Sequence, residues 1–384
     1  MKSVAARGGL CSAAVPHSMP KRRTPCCSLR LFFMALVVLV LISLGLLRNA
    51  FFYVEQNPAV YHVDPKYREL AHAYSRNILA RECRPSFARQ EIRARLRTSS
   101  SVTGPFLWRD VHLPDTVFQY PPPFGFLDLH GKLMEVLSLL PSGPSQQHQR
   151  SADVCRKCVV VGNGGILRGL ELGSLIDEFD IVIRLNSGPL QNFSKDVGNH
   201  TSIRMSYPEG SPKVWEDHEP TLLFVAVIYK SVDFHWLKAM ITRQKVSLWD
   251  WLFFWQKVPD EIPIKPSQFQ VLNPEIIREV AMDMLQYSTP KFRFWGWDQN
   301  VPTLGISALN LATYLCDEVS LAGFGYNMSQ KEAPLHYYDS LPMTAMLAEE
   351  MHNVDRERAF LQRLVADGTI SDLTGGLHCS FCTS

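Results

Sequence analysis

The segment CVVVGNGGILRGLELG, residues 158–173, runs an apolar stretch directly into a cluster of glycines. Glycines at the end of a buried strand let backbone N–H groups approach an anion, and a helix behind them turns its positive end toward it. That is phosphate chemistry, and the spacing limits which phosphate. A dinucleotide site wants G-x-G-x-x-G and an acidic residue near the end of the next strand to hold a ribose. Gly162 and Gly164 fit, but the third position is Leu167, and the next strand ends in RLN with Asn186 in place of a carboxylate. A Walker loop fails too, since no Gly-Lys-Ser/Thr follows. From this loop alone, a tight strand-to-helix turn with no ligand remains the alternative.

The surrounding elements set the frame for that loop. CVVVG reads as a buried strand, ILRGLELGSLIDEF as a helix and DIVIRLN as a second buried strand; TLLFVAVIY is a further strand, LGISALNLATYLCDE a helix and VSLAGFG another strand. Alternating apolar strands and helices predict an α/β domain with a mainly parallel sheet. Ligands of such sheets gather at the carboxyl ends of strands. Three ends here carry suggestive residues: Gly162 to Gly165, Asn186, and Gly323 to Gly325. Upstream, DPKYRELAHAYSRNILARE and LDLHGKLMEVLSLL have helical apolar spacing.

The N-terminus places the domain. Residues 1–30 hold Lys2, Arg7, Lys21, Arg22, Arg23 and Arg30 and no acidic residue, and the uncharged run LFFMALVVLVLISLGLL follows at 31–47. A helix of that length spans roughly 25 Å, the short end of what crosses a bilayer. A cleaved signal peptide would have a shorter apolar region and a small-x-small site, where RNAFFYVEQ stands instead. The expectation is a cytosolic tail at 1–30, a signal anchor at 31–47, a stem at 48–82 and a lumenal domain at 83–384. In that compartment disulfides are expected. The spacing Cys155-x-x-Cys158 with Cys379-x-x-Cys382 also matches a four-cysteine zinc site, with nothing but spacing in its favour. Asn192, Asn199 and Asn327 head glycosylation sequons. The net charge of +2 argues against a nucleic-acid partner.

Residues 248–263, LWDWLFFWQKVPDEIP, concentrate Trp249, Trp251, Phe253, Phe254 and Trp255. A core helix is one reading. The other is a partly exposed aromatic face that meets a bilayer or a lipid acceptor.

The motifs together resemble those of a known family. CVVVGNGG, LGSLIDEFDIVIRLN and VGNHTSIR resemble the long sialyl motif of animal sialyltransferases, and VPTLGISALNLATYLCDEVSLAGFGY resembles their short motif. HYYD at 336–339 and HNVDRE at 352–357 resemble the two motifs that follow, in family order. RFWGWDQNVPTLG, CDEVSLAGFGY and PLHYYDS are most similar to the members that start ganglioside synthesis.

The resemblance implies a Rossmann-like, GT-A-like sheet flanked by helices, and transfer of sialic acid from CMP-sialic acid to the 3-hydroxyl of a terminal galactose with inversion. It implies His352 as the base and His336 as the partner of the leaving phosphate. Glu357 is expected to orient the histidine or its loop. Asn163, Gly164, Gly165, Asn186, Thr303, Leu304, Gly305 and Gly323 are the expected donor-binding residues, although relatives often carry a small hydroxyl residue where Leu304 stands. No Asp-x-Asp occurs in the chain, in keeping with a family that needs no metal and no cofactor. The family disulfide maps to Cys158 and Cys316, with Cys83 and Cys155 as a second bridge. Cys379 and Cys382 have no counterpart; pairing with each other, bridging two chains into a homodimer, or staying free are all open. The implied setting is the Golgi membrane, single-pass type II, with a glycolipid acceptor. The rivals are a glycoprotein acceptor and a catalytically silent lumenal glycan-binding protein, against which both histidines weigh.

Overall fold

The computed structural model describes residues 32–43, 63–96, 102–109, 113–143, 154–289, 300–325, 334–342 and 352–382. The chain divides into two units, residues 1–57 and 58–384. In the first, a helix at residues 32–43 is exposed along its whole length. Among the described residues no helix is long and apolar enough to cross a membrane. The remainder of the expected 31–47 anchor, the tail at 1–30 and the first part of the expected stem lie outside the described residues, as does Asn327.

The second unit is built on an eight-stranded sheet. Its strands are β1 (Phe106–Leu107), β2 (Lys157–Val161), β3 (Ile181–Leu185), β4 (Ile203–Ser206), β5 (Leu223–Ala226), β6 (Phe269–Leu272), β7 (Glu318–Ala322) and β8 (Ser371–Asp372). The order across the sheet is β1-β6-β5-β4-β3-β2-β7-β8, and β1 alone runs antiparallel to its neighbour. Strands β3, β4, β5 and β7 are buried at every position, and both faces of the sheet being covered is why β5 reads as a continuous apolar run rather than as alternation. On one side of β2, Val160 packs in a core with Leu309 and Leu311 of the helix Leu304–Leu315. On the other, Val159 and Val161 pack with Ala71 and Ile78 of the helix Pro65–Ala80.

That last helix belongs to the expected stem, yet it is docked on the sheet domain. Arg68 pairs with Glu171 at 2.9 Å, and Lys157 Nζ donates to the Ile78 and Leu79 carbonyls at 3.0 and 2.7 Å. The described residues therefore join 65–80 to the compact unit.

The helix expected over 166–179 is replaced by a 3₁₀ turn at Gly165–Leu167 and a short helix at Gly173–Ile176. Gly169 at φ 81° and Glu171 at φ 55° end any continuous helix between them. Strand β4 escaped the sequence reading because Arg204 and Ser206 interrupt its apolar signature. Arg204 is nevertheless buried, its guanidinium held two-pronged by Asp217 at 2.6 and 2.9 Å. Arg184, its register partner on β3, is pushed down to about 10 by burial and by the Arg204 charge.

Three disulfides pin the unit: Cys83–Cys155, Cys158–Cys316 and Cys379–Cys382. The pairing of Cys379 with Cys382 takes away the four-cysteine zinc reading and the bridge between chains. Asn192 and Asn199 are both exposed.

Candidate functional site

From β2 the chain works outward to β6, and then returns to place β7 on the other side of β2. The crevice beyond the carboxyl ends of β2 and β7 is thus the switch point of the sheet, where open α/β folds bind ligands. A cavity of about 700 Å³ opens there. Asn163, Asn186, Thr303, Leu304, Gly305, Gly323, His336 and His352 all line it, although they are spread over almost two hundred positions of the chain.

Gly164 and Gly165 do something different from what the loop pattern suggested. The N–H groups of Gly162, Gly164 and Gly165 donate to the carbonyls of Ala322, Gly323 and Leu335 at 2.8, 3.0 and 3.0 Å. Those amides are therefore spent inside the protein. A β-carbon on Gly164 would lie 2.6 Å from the Gly323 carbonyl oxygen, so glycine is required by backbone-to-backbone packing. The loop's product is the placement of His336: Gly164 bridges to it, and Tyr337 N–H donates to the Asn163 carbonyl at 3.0 Å.

His336 Nδ1–H donates to Asp339 Oδ2 at 2.6 Å, and its ring stacks on Tyr338 with an interplanar angle of 2°. His352 Nδ1 lies 2.7 Å from the Val301 carbonyl oxygen. A carbonyl only accepts, so Nδ1 carries the proton and Nε2 keeps its lone pair in the neutral ring. Each histidine thus has one nitrogen tied to protein and the other left for the cavity.

Asn186 adopts φ 52°, a region asparagine tolerates better than most residues. Arg204 holds the turn by donating to the Asn186 and Gly188 carbonyls at 2.9 and 3.1 Å. Ser206 Oγ donates to Asn186 Oδ1 at 3.1 Å, which directs the other end of the amide elsewhere. Asn163 Nδ2 reaches the Leu185 carbonyl at 3.4 Å.

Thr303 caps the helix Leu304–Leu315, whose first amides and positive end meet the cavity. Its backbone N–H and hydroxyl both donate to Glu357, at 2.8 and 2.6 Å. Both Glu357 oxygens are thus engaged by Thr303. Glu357 fixes Thr303, two residues beyond the carbonyl that holds His352. Leu304 contributes an apolar wall and backbone only.

Burial pushes the Glu357 carboxyl up to about 7 against the two Thr303 hydrogen bonds. Between its ordinary value of 4.5 and about 7 the folded protein holds this proton and the unfolded chain does not. Stability from this group is complete below that window and is lost as pH rises through it. From pH about 5 to about 7.5, the wild-type melting temperature is expected to fall relative to Glu357→Gln, equivalent to up to about 3 kcal/mol. Parallel melting profiles would contradict this.

The sequence reading missed Tyr207, Glu209, Tyr229 and Lys230 of the far wall of the cavity, which Trp255 of the aromatic segment completes. Lys230 Nζ sits 2.6 Å from Glu209 Oε1 and 3.1 Å from Asp233 Oδ1. The second Glu209 oxygen is buried without a hydrogen-bond partner. Tyr229 and Lys230 follow β5, so the carboxyl-end rule would have found them. Glu209 follows β4, which the sequence had not shown.

The chain is 48% identical over 318 residues to a lactosylceramide alpha-2,3-sialyltransferase of Rattus norvegicus, covering 83% of this chain and 82% of the relative. It is 38% identical over 312 residues to a CMP-N-acetylneuraminate-beta-1,4-galactoside alpha-2,3-sialyltransferase of Homo sapiens, covering 80% and 81%. Among solved structures, a mammalian sialyltransferase in complex with Gal-beta-1-3GalNAc-ortho-nitrophenol shares the fold at a TM-score of 0.55 and 24% identity, covering 72% of this chain and 92% of that one. The model of glycosyltransferase family 29 (sialyltransferase) matches residues 106–369, and the chain belongs to that family.

Proposed function

We propose that this enzyme transfers sialic acid from CMP-sialic acid to the 3-hydroxyl of the terminal galactose of lactosylceramide, with inversion at the anomeric carbon. The observation that carries the chemistry is the pair of histidines on one cavity, each with Nδ1 occupied by protein. His352 Nε2 takes the proton of the galactose hydroxyl as its oxygen attacks the anomeric carbon. The new C–O bond forms as the bond to the CMP phosphate breaks, and that electron pair leaves on the phosphate. His336, as an imidazolium paired with Asp339, donates from Nε2 to the departing oxygen. Asn163 and Asn186 face the cytidine half, and the amides at Leu304 and Gly305 face the phosphate or the sialic acid carboxylate. A single phosphate demands less countercharge than a diphosphate, which suits a site built from these groups without a metal. The acceptor sugar takes the wall of Glu209, Lys230 and Trp255. The setting that fits the chain's N-terminus is a type II anchor in the Golgi membrane with residues 83–384 in the lumen.

The acceptor reading rests on the relatives at 48% identity. Full-length protein supplied with CMP-sialic acid is expected to sialylate lactosylceramide at least tenfold faster than a desialylated glycoprotein, with product cleaved by an α2,3-specific sialidase. Preference for the glycoprotein would overturn the acceptor assignment.

A further inference from the structure

The stretch LWDWLFFWQK, residues 248–257, is not accounted for by the donor site. Ser247 caps the short helix Leu248–Trp251 by accepting from the Trp249 N–H at 3.2 Å. Past the helix, Phe254 turns inward to 8% exposure, with the Lys230 ammonium 4.9 Å from its ring centre. Trp251 packs against the same core. With those two rings holding the segment down, its other large side chains point out. Leu248, Trp249, Leu252 and Phe253 are 85%, 77%, 73% and 67% exposed, and Trp255 is 69% exposed.

Apolar surface gathered in this way marks a place of contact. Its neighbours say with what. Trp255 belongs both to the patch and to the cavity wall, and Gln256 ties the segment to that wall by donating to the Glu209 carbonyl at 2.6 Å. Whatever meets the patch therefore lies at the mouth of the cavity. Arg243, Lys245 and Lys257 are exposed on the flanks. Asp250, inside the segment, is engaged by His235 at 2.9 Å; Asp260 and Glu261 are exposed farther along. Tryptophan, phenylalanine and leucine flanked by basic side chains settle into the headgroup region of a bilayer, with the cations on lipid phosphates.

We propose that residues 248–255 form a membrane-docking surface that enters the lipid headgroup region and lowers the cavity onto the sugar of a lipid-embedded acceptor. This rests on the glycolipid reading above. A lactosyl headgroup stands only two sugar rings above the lipid backbone. A cavity that reaches it without extracting the lipid must have a rim that tolerates the interface, and this rim is built of such residues.

The test uses full-length protein with Leu248, Trp249, Leu252 and Phe253 all changed to serine, leaving Trp255 in place. Transfer to lactosylceramide in phosphatidylcholine–phosphatidylserine vesicles is compared with transfer to a water-soluble lactoside. The vesicle rate is expected to fall at least tenfold while the lactoside rate stays within twofold of wild type. A second measurement is independent of activity. Residues 1–107 contain no tryptophan, so quenching of tryptophan fluorescence by brominated lipid reports on the catalytic unit. Quenching is expected in the wild type and should diminish in Trp249→Phe. Equal loss on both acceptors, no loss on either (the result if the patch docks another protein), or absent quenching would overturn the docking surface. A wild type that uses the lactoside but not lactosylceramide overturns the acceptor reading itself.

Discussion

Replacing His352 by alanine is expected to lower the rate constant for sialyl transfer about a thousandfold, or roughly 4 kcal/mol of barrier. CMP affinity should stay within a few-fold of wild type. The reasoning is local. Nδ1 of this ring is committed to the Val301 carbonyl at 2.7 Å, so the ring's remaining capacity is the Nε2 lone pair on the cavity side. In the proposed mechanism the donor's nucleotide is held elsewhere, on Asn163, Asn186 and the start of the helix Leu304–Leu315. Loss of the base should therefore appear in kcat and hardly at all in donor binding, which separates it from a binding defect. Turnover measured alongside calorimetric titration with CMP checks both halves. A variant that turns over at the wild-type rate would remove His352 from the chemistry.

The second large effect is on stability. Glu279→Ala is expected to cost about 3 to 5 kcal/mol and to lower the melting temperature by about 10 °C. Glu279 is 2% exposed and accepts four hydrogen bonds from three side chains that need it. Arg89 donates through two nitrogens at 2.8 and 3.2 Å, Asn310 Nδ2 at 2.9 Å and the Tyr314 hydroxyl at 2.8 Å. Burial and this carboxylate push the Tyr314 hydroxyl up, which keeps it a donor. Removing the carboxylate strands the Arg89 guanidinium, 7% exposed, in the interior. Exchanging both members for apolar residues, Arg89→Met with Glu279→Leu, should recover most of the loss, because no charge is then left unpaired. A single variant that melts with wild type would show the network to be dispensable. The network also seats the helix Leu304–Leu315, so kcat should fall with stability in the single variant.

Much of the site could be read from sequence because the sheet is covered on both faces. Strands β2, β3, β5 and β7 stand out as mainly apolar segments, and the residues at their carboxyl ends follow by counting. Asn163, Asn186 and Gly323 came from that rule, while the roles of His336 and His352 came from motif resemblance, since a lone histidine carries no signal of its own. Strand β4 was hidden by Arg204, a charge that is affordable inside only because Asp217 meets it, and pairing across thirteen residues has no local signature. With β4 hidden, Glu209 was hidden too. The glycine loop misled in an instructive way: its glycines permit close approach of backbone, but the approaching backbone is Gly323 and Pro334, not a phosphate. The role of Glu357 depends on its contact with Thr303, fifty-four positions away, which only the fold supplies.

The central claim is that one cavity presents both substrates to His352. The most direct measurement is a structure of the full-length protein bound to an unreactive CMP-sialic acid analogue and lactose. The result expected has the galactose 3-hydroxyl within about 2.6 to 3.2 Å of His352 Nε2. The phosphate should lie against His336, with the cytidine at Asn163 and Asn186. A galactose hydroxyl that faces another side chain, or a nucleotide bound outside the β2–β7 crevice, would contradict it.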